Sequence, residues 1–197
     1  MIDWKLILSQ KKALILPTET VYGLFANALD EEAVENVYRL KKRPREKAMN
    51  LNVATLKQIY AYSKEQPEYL ESLFHTFLPG PLTIILKANS EVPKWINSGL
   101  DTVGFRVPKH PITQGIIADF GPLIGPSANV SGGPSGKEYA KVKEQFLDIQ
   151  GYEDDQSISG VDSTIIDLSS GFASILRQGA ITKQDILKVV PNLIFKE

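Results

Sequence analysis

The stretch that decides the fold is ALILPTETVYGL, Ala13 to Leu24. Its apolar opening, Ala13–Pro17, reads as a short buried strand. Thr18-Glu19-Thr20 then reads as a helix-start signal. In α/β sheets the ends of such strands commonly hold ligands. The hydroxyls of Thr18, Thr20 and Tyr22, with the free amides of the helix expected to follow, could hold a small polar molecule. Capping with a core tyrosine explains the same residues without a ligand.

Outward from this stretch, strands and helices mix along the whole chain. Asp30 reads as the cap of a helix over Glu31–Lys42, with Val34, Val37, Tyr38 and Lys41 on one face. Pro44 stops it. Met49, Leu51 and Val53 alternate with Asn50 and Asn52, the pattern of a strand. Pro67 opens a helix running to about Phe77. Thr83–Ala88 and Thr102–Pro108 read as strands, Ile112–Phe120 as a helix stopped by Gly121, and Pro122–Gly125 as a short buried strand. Tyr139–Asp148 reads as a helix, Gly151–Gly160 as an acidic irregular segment, and Asp162–Leu168 and Ser174–Leu176 as strands. Thr182 and Asp185 form a capping-box pattern for a last helix, Lys183–Val190. The class is α/β (α+β), and without repeats or a composition break the expectation is one domain over residues 1–197.

Composition narrows the function. With no cysteine, disulfides, thiol catalysis and thiolate metal sites are excluded, and two histidines are too few for a His-rich metal cluster. The formal net charge of −1 gives no bulk attraction to nucleic acid or an anionic membrane, although a local basic site depends on distribution. Met1–Lys12 lacks a signal-peptide pattern, and no apolar run approaches a membrane span. A cytoplasmic protein with no membrane partner is the expectation.

Three further segments are polar or glycine-rich where packing does not require it. Lys41-Lys42-Arg43-Pro44-Arg45-Glu46-Lys47 is five-sevenths basic. Lys41 and Arg43 could bind a triphosphate, arginine as a fork and lysine as a point charge; a solvated helix end is the plainer alternative. Gly125–Gly136 (GPSANVSGGPSG) allows close backbone approach and an anion nest. It is not a P-loop, being one residue short with Glu138 in place of Ser/Thr. Nor is it a nucleophile elbow, because the last glycine is missing. Asp162-Ser163-Thr164 and Arg177-Gln178-Gly179 set hydroxyls and an arginine near strand ends, where they could close a nucleotide site. His110 and His75 read as structural or solvated.

Together the segments LPTETVYGL, KKRP, LPGPLT, TVGFRVPKHP, GPSANVSG, DSTIIDL and LRQGAI, in that order over about residues 10–181, resemble the YrdC/Sua5 family of threonylcarbamoyl-AMP synthases. The resemblance implies a twisted mixed sheet flanked by helices around a basic concave cavity. It implies synthesis of threonylcarbamoyl-AMP and pyrophosphate from L-threonine, bicarbonate and ATP, with Mg2+ accompanying ATP and held by no dedicated protein ligands. The product would serve threonylcarbamoyl (t6A) modification of tRNA by a transferase complex, with weak direct tRNA contact compatible. The family's K-x-R falls on Lys41 and Arg43, in the catalytic role, and its S-x-N on Ser127 and Asn129. With Arg177 these four are assigned to ATP and phosphate, and Thr18, Tyr22, Ser163 and Thr164 to threonine. Asn52 stands where many relatives have a histidine; asparagine can hydrogen-bond but cannot take up a proton. The extra C-terminal domain of the long Sua5 form is not expected. Two other readings fit the residues: an RNA-binding module using the basic concavity, and a carbamoyl-transfer domain of the hydrogenase-maturation type.

Overall fold

The computed structural model describes residues 2–196; Met1 and Glu197, the ends of the expected 1–197 domain, lie outside the described residues. The helices are α1 (Trp4–Ser9), α2 (Glu31–Lys41), α3 (Leu56–Tyr62), α4 (Leu70–Phe77), α5 (Lys94–Asn97), α6 (Pro111–Phe120), α7 (Tyr139–Gln145) and α8 (Lys183–Val189). The strands are β1 (Leu14–Leu16), β2 (Gly23–Asn27), β3 (Leu51–Asn52), β4 (Ser63–Lys64), β5 (Leu82–Ala88), β6 (Thr102–Arg106), β7 (Leu123–Ile124), β8 (Thr164–Asp167) and β9 (Ser174–Arg177). They form one twisted mixed sheet in the order β1-β2-β7-β3-β6-β5-β8-β9, with β4 on β5. The β3–β6 and β5–β8 pairs are parallel and the other pairs antiparallel. The expected α/β class is the observed one.

Alternation along the strands assigns each side chain to a face. Ile15, Leu24, Ala26, Leu51, Ile84, Phe105, Ile124 and Ile166 enter a large core with helices including α2, α3 and α4. Leu14, Leu16, Phe25 and Leu123 point the other way, into a smaller core closed by Ile7 and Leu8 of α1 and Ile116 and Ile117 of α6. Coverage on both faces is why β1 reads as an unbroken apolar run. The smaller core reaches only the β1-β2-β7 end of the sheet. Beyond it the same face carries polar side chains.

Most helix signals act as read. Asp30 caps α2 by accepting from the Ala33 amide at 3.0 Å, and the Thr182–Asp185 capping box is formed in both directions. The helix expected after Thr18-Glu19-Thr20 is absent. The Thr18 hydroxyl accepts from the amides of Thr20 and Val21, each at 3.2 Å, and closes a turn into β2 instead. The preference that caps helices here caps a hairpin, and antiparallel pairing with β1 outweighs it as a helix start. The strand over Met49, Leu51 and Val53 shrinks to two paired residues, although all three are buried. Helix α4 begins at Leu70, three residues after Pro67. Helices α1 and α3 fall where no helix was expected; Thr55 and Gln58 form a full capping box for α3.

Phe25 lies where the smaller core meets the polar part of the same face. Phe25→Ala is expected to lower stability by about 3–5 kcal/mol. Leu176→Ala, on the exposed β9, should stay within about 0.5 kcal/mol of wild type. Urea unfolding at constant m-value checks both, and equal effects would contradict the two-core description.

Candidate functional site

The polar half of that face is the floor of a cavity of about 210 Å³. Strand pairing places its residues in a row: Asn52 opposite Arg106, Thr83 opposite Ile165, and, through a register shift between Ile165 and Ile166, Ile165 opposite Arg177. All five line the cavity. Two glycines keep the floor clear. A Cβ at Gly104 would lie 2.3 Å from Asn50 Oδ1, and one at Gly125 2.4 Å from the Phe25 ring and 2.8 Å from Asn52 Nδ2. The site was expected at strand ends; it is built instead on a sheet face.

The lining has three arginines, Arg43, Arg106 and Arg177, against one carboxylate, Asp162. Arg43 follows the left-handed residue Lys42 that ends α2. It donates to the carbonyls of Lys47 (3.0 Å) and Ala48 (2.9 Å). Arg177 donates from Nε to the Ser163 carbonyl and from Nη2 to the Ser163 hydroxyl, both at 2.9 Å. Partial burial lowers the pKa of both groups; Arg43 is half-buried and Arg177 remains exposed, so an incoming anion would relieve chiefly the poorly solvated charge of Arg43. Arg106 is held by Glu19 at 2.8 Å and the Thr20 hydroxyl at 2.6 Å. Its Nε is buried with no partner among the described residues.

The named candidates divide into two groups. Thr18, Tyr22, Arg43, Ser127, Ser163 and Arg177 line the cavity. Lys41, Asn129 and Thr164 stand behind the lining, with their polar atoms spent on backbone except for Asn129 Oδ1, which accepts from the Ser127 hydroxyl. Thr164 Oγ1 donates to the Ile181 carbonyl and accepts from the amides of Gly179 and Ile181. The Tyr22 hydroxyl donates to Asp155 at 2.6 Å and accepts from the Asp154 amide at 2.8 Å. Burial, then the bond to Asp155, raises its pKa, so the phenol is a poor base and chiefly a wall. Behind it His110 Nε2 lies 3.1 Å from Asp154 Oδ2, which lowers the pKa of Asp154. His110, buried and outside the cavity lining, ties the segment containing the 3-10 turn Asp155–Ser157 to α6, and its Nδ1 has no partner among the described residues.

Arg106, Thr83 and Asn50 were not singled out from the sequence. A signal existed in TVGFRVP: an arginine two residues from a glycine on the face opposite Val103 and Phe105. No group of three or more His, Cys, Asp or Glu that could hold a metal ion occurs among the described residues. No helix of the described residues is long and apolar enough to cross a membrane.

A concave cavity lined by three arginines on one face of a mixed sheet is the candidate site of this α/β fold. The chain belongs to the Sua5/YciO/YrdC family, whose model, described as "Telomere recombination", matches residues 6–179. The threonylcarbamoyl-AMP synthase of Pyrococcus abyssi (strain GE5 / Orsay) is 39% identical over 202 residues, covering 97% of this chain and 58% of the relative. That of Bacillus subtilis (strain 168) is 36% identical over 190 residues, covering 93% and 54%. A crystal structure of P. abyssi Sua5 complexed with L-threonine superposes with a TM-score of 0.90 at 38% identity, covering 100% of this chain and 60% of that one. The chain therefore spans little more than half the length of these relatives.

Burial, reinforced by the nearby Arg43 charge, pulls the Lys41 ammonium from 10.5 down to about 7. Below pH 7 the folded and unfolded chains both hold this proton. Between about 7 and 10.5 only the unfolded chain does, so Lys41 makes stability rise with pH across that window, by at most ~1.4 kcal/mol per unit. The urea midpoint of wild type should climb between pH 7 and 9 relative to Lys41→Met. Parallel midpoints would show that Lys41 stays charged throughout.

Proposed function

We propose that this chain makes threonylcarbamoyl-AMP and pyrophosphate from L-threonine, bicarbonate and ATP. The observation that carries the reading is the row of arginines and hydroxyls on one concave sheet face, where several anions have to meet. The relatives bearing the synthase name, and a neighbour complexed with L-threonine, support it. The amine of threonine would displace water from bicarbonate to give a carbamate. A carbamate oxygen would then attack the α-phosphorus of ATP, and the bond to pyrophosphate would break.

Such chemistry depends on positioning and charge neutralisation more than on proton transfer. Arg43, from K-x-R, and Arg177 would take phosphate oxygens, and Ser127, from S-x-N, would hydrogen-bond phosphate or carbamate. Arg106 with its unpartnered Nε, beside the Thr18–Thr20 turn, would take the carboxylate of threonine, with Tyr22 and Ser163 shaping that end. Asn52 supplies a neutral amide and no base, which suits capture of CO2 by the free amine. Mg2+ would enter as the ATP complex, with the phosphates and water as its ligands; Asp162 is the carboxylate in the lining. A cytoplasmic setting and onward transfer of the product to tRNA belong to the same proposal.

The test is pyrophosphate release with ATP, Mg2+, bicarbonate and labelled threonine. Release should require threonine over other amino acids. Arg43→Ala and Arg177→Ala should each lower it by about tenfold or more, with melting curves little changed. Release indifferent to threonine, or steeply salt-dependent RNA binding that ignores ATP, would favour a different function.

A further inference from the structure

Two of the four residues of the K-x-R and S-x-N pairs, Lys41 and Asn129, are turned into the protein. Lys41 is 1% exposed. Its Nζ donates to the Ser127 carbonyl and, at 2.6 Å, to the Asn129 carbonyl. Its own carbonyl accepts from the Ser131 amide at 2.8 Å. The Ser127 hydroxyl donates to Asn129 Oδ1 at 2.6 Å. Asn129 Nδ2 donates to the carbonyls of Val130 (2.8 Å) and Gly133 (2.9 Å). The Ala128 amide donates to the Tyr22 carbonyl at 2.7 Å, which ties the same segment to the turn across the cavity. Lys41 is therefore the post around which residues 127–133 are wound, and of these four residues Arg43 and Ser127 are the ones that reach the cavity lining.

We infer that Lys41 is a positioning residue: it shapes the 127–133 segment from behind and acts on the nucleotide only through that segment, while Arg43 meets the phosphates directly. The inference rests on the reading of the cavity as a nucleotide site. Two carbonyls converging on one buried nitrogen explain why the position needs a long side chain ending in several N–H donors. A leucine or methionine there would leave both oxygens unsatisfied. An ammonium that swung out to a phosphate would do the same, so the bond network opposes that motion.

The experiment is hydrogen exchange on the ligand-free protein, read at the amides of Ala128, Ser131 and Gly133, with the KM values for ATP and threonine measured alongside. Lys41→Met, which keeps the length and removes the donors, should speed exchange at these amides at least about tenfold. β5 and β6 should stay protected, and the KM for ATP should rise while that for threonine holds within about twofold. Arg43→Met should raise the KM for ATP with the segment's exchange unchanged. Lys41→Gln, which restores N–H donors without charge, should recover segment protection and ATP affinity together; it carries the test if Lys41→Met also unprotects β5 and β6. The inference is overturned if any Lys41 variant loses ATP affinity with residues 127–133 still protected, or keeps that affinity with them unprotected. The exchange measurement uses no substrate, so a failure to form threonylcarbamoyl-AMP would remove the proposed function and leave the role of Lys41 in ordering the segment standing.

Discussion

Everything at this site depends on where the second layer stops. α1 and α6 cover one face of the sheet only over β1, β2 and β7, where Leu14, Leu16, Phe25 and Leu123 fill the space. Past β7 the pleat continues to send every second side chain to that face, but no helix meets it. There the face carries Asn52, Arg106 and Thr83, then Ile165 and, after a register shift, Arg177, while their neighbours Leu51, Phe105 and Ile84 seal the opposite face. The floor of such a cavity inherits the stiffness of paired strands, while its walls, with Thr18, Tyr22, Arg43, Ser127 and Ser163, come from the turns and loops around it.

The electrostatics follow from the same geometry. Arg106, rooted in β6 and mostly buried, cannot turn fully to water, and Arg43, half-buried in the turn after α2, is only partly solvated. Arg106 is partly compensated by Glu19. Arg43 is held by carbonyls, which accept hydrogen bonds without cancelling charge; Arg177 is held by a carbonyl and a serine hydroxyl, with the Asp162 carboxylate compensating part of its charge. With three arginines to one carboxylate in its lining, the cavity keeps a preference for anions.

Much of this was legible in the residues. The buried strand at Ala13–Pro17, the capped helix after Asp30, the β5 and β6 strands and the final capping box all followed from local pattern and turn chemistry. The turn at Thr18 did not, because a threonine hydroxyl aimed at amides two and three residues on looks the same in a helix cap and in a tight turn; only pairing with β1 separates them. Arg106 was passed over because its importance lies in register against Asn52, which no local window contains. Lys41 carried the right motif, but its charge alone suggested a phosphate contact. That its nitrogen faces two carbonyls 86 and 88 residues away is a fact of tertiary structure.

The most direct test of the sheet-face site is a crystal structure of this protein with L-threonine and a non-hydrolysable ATP analogue. The account predicts phosphate oxygens on Arg43 and Arg177, and the amino acid between Arg106 and the Thr18–Thr20 turn. Density for either ligand away from the face that carries Asn52, Arg106, Thr83 and Arg177 would contradict it.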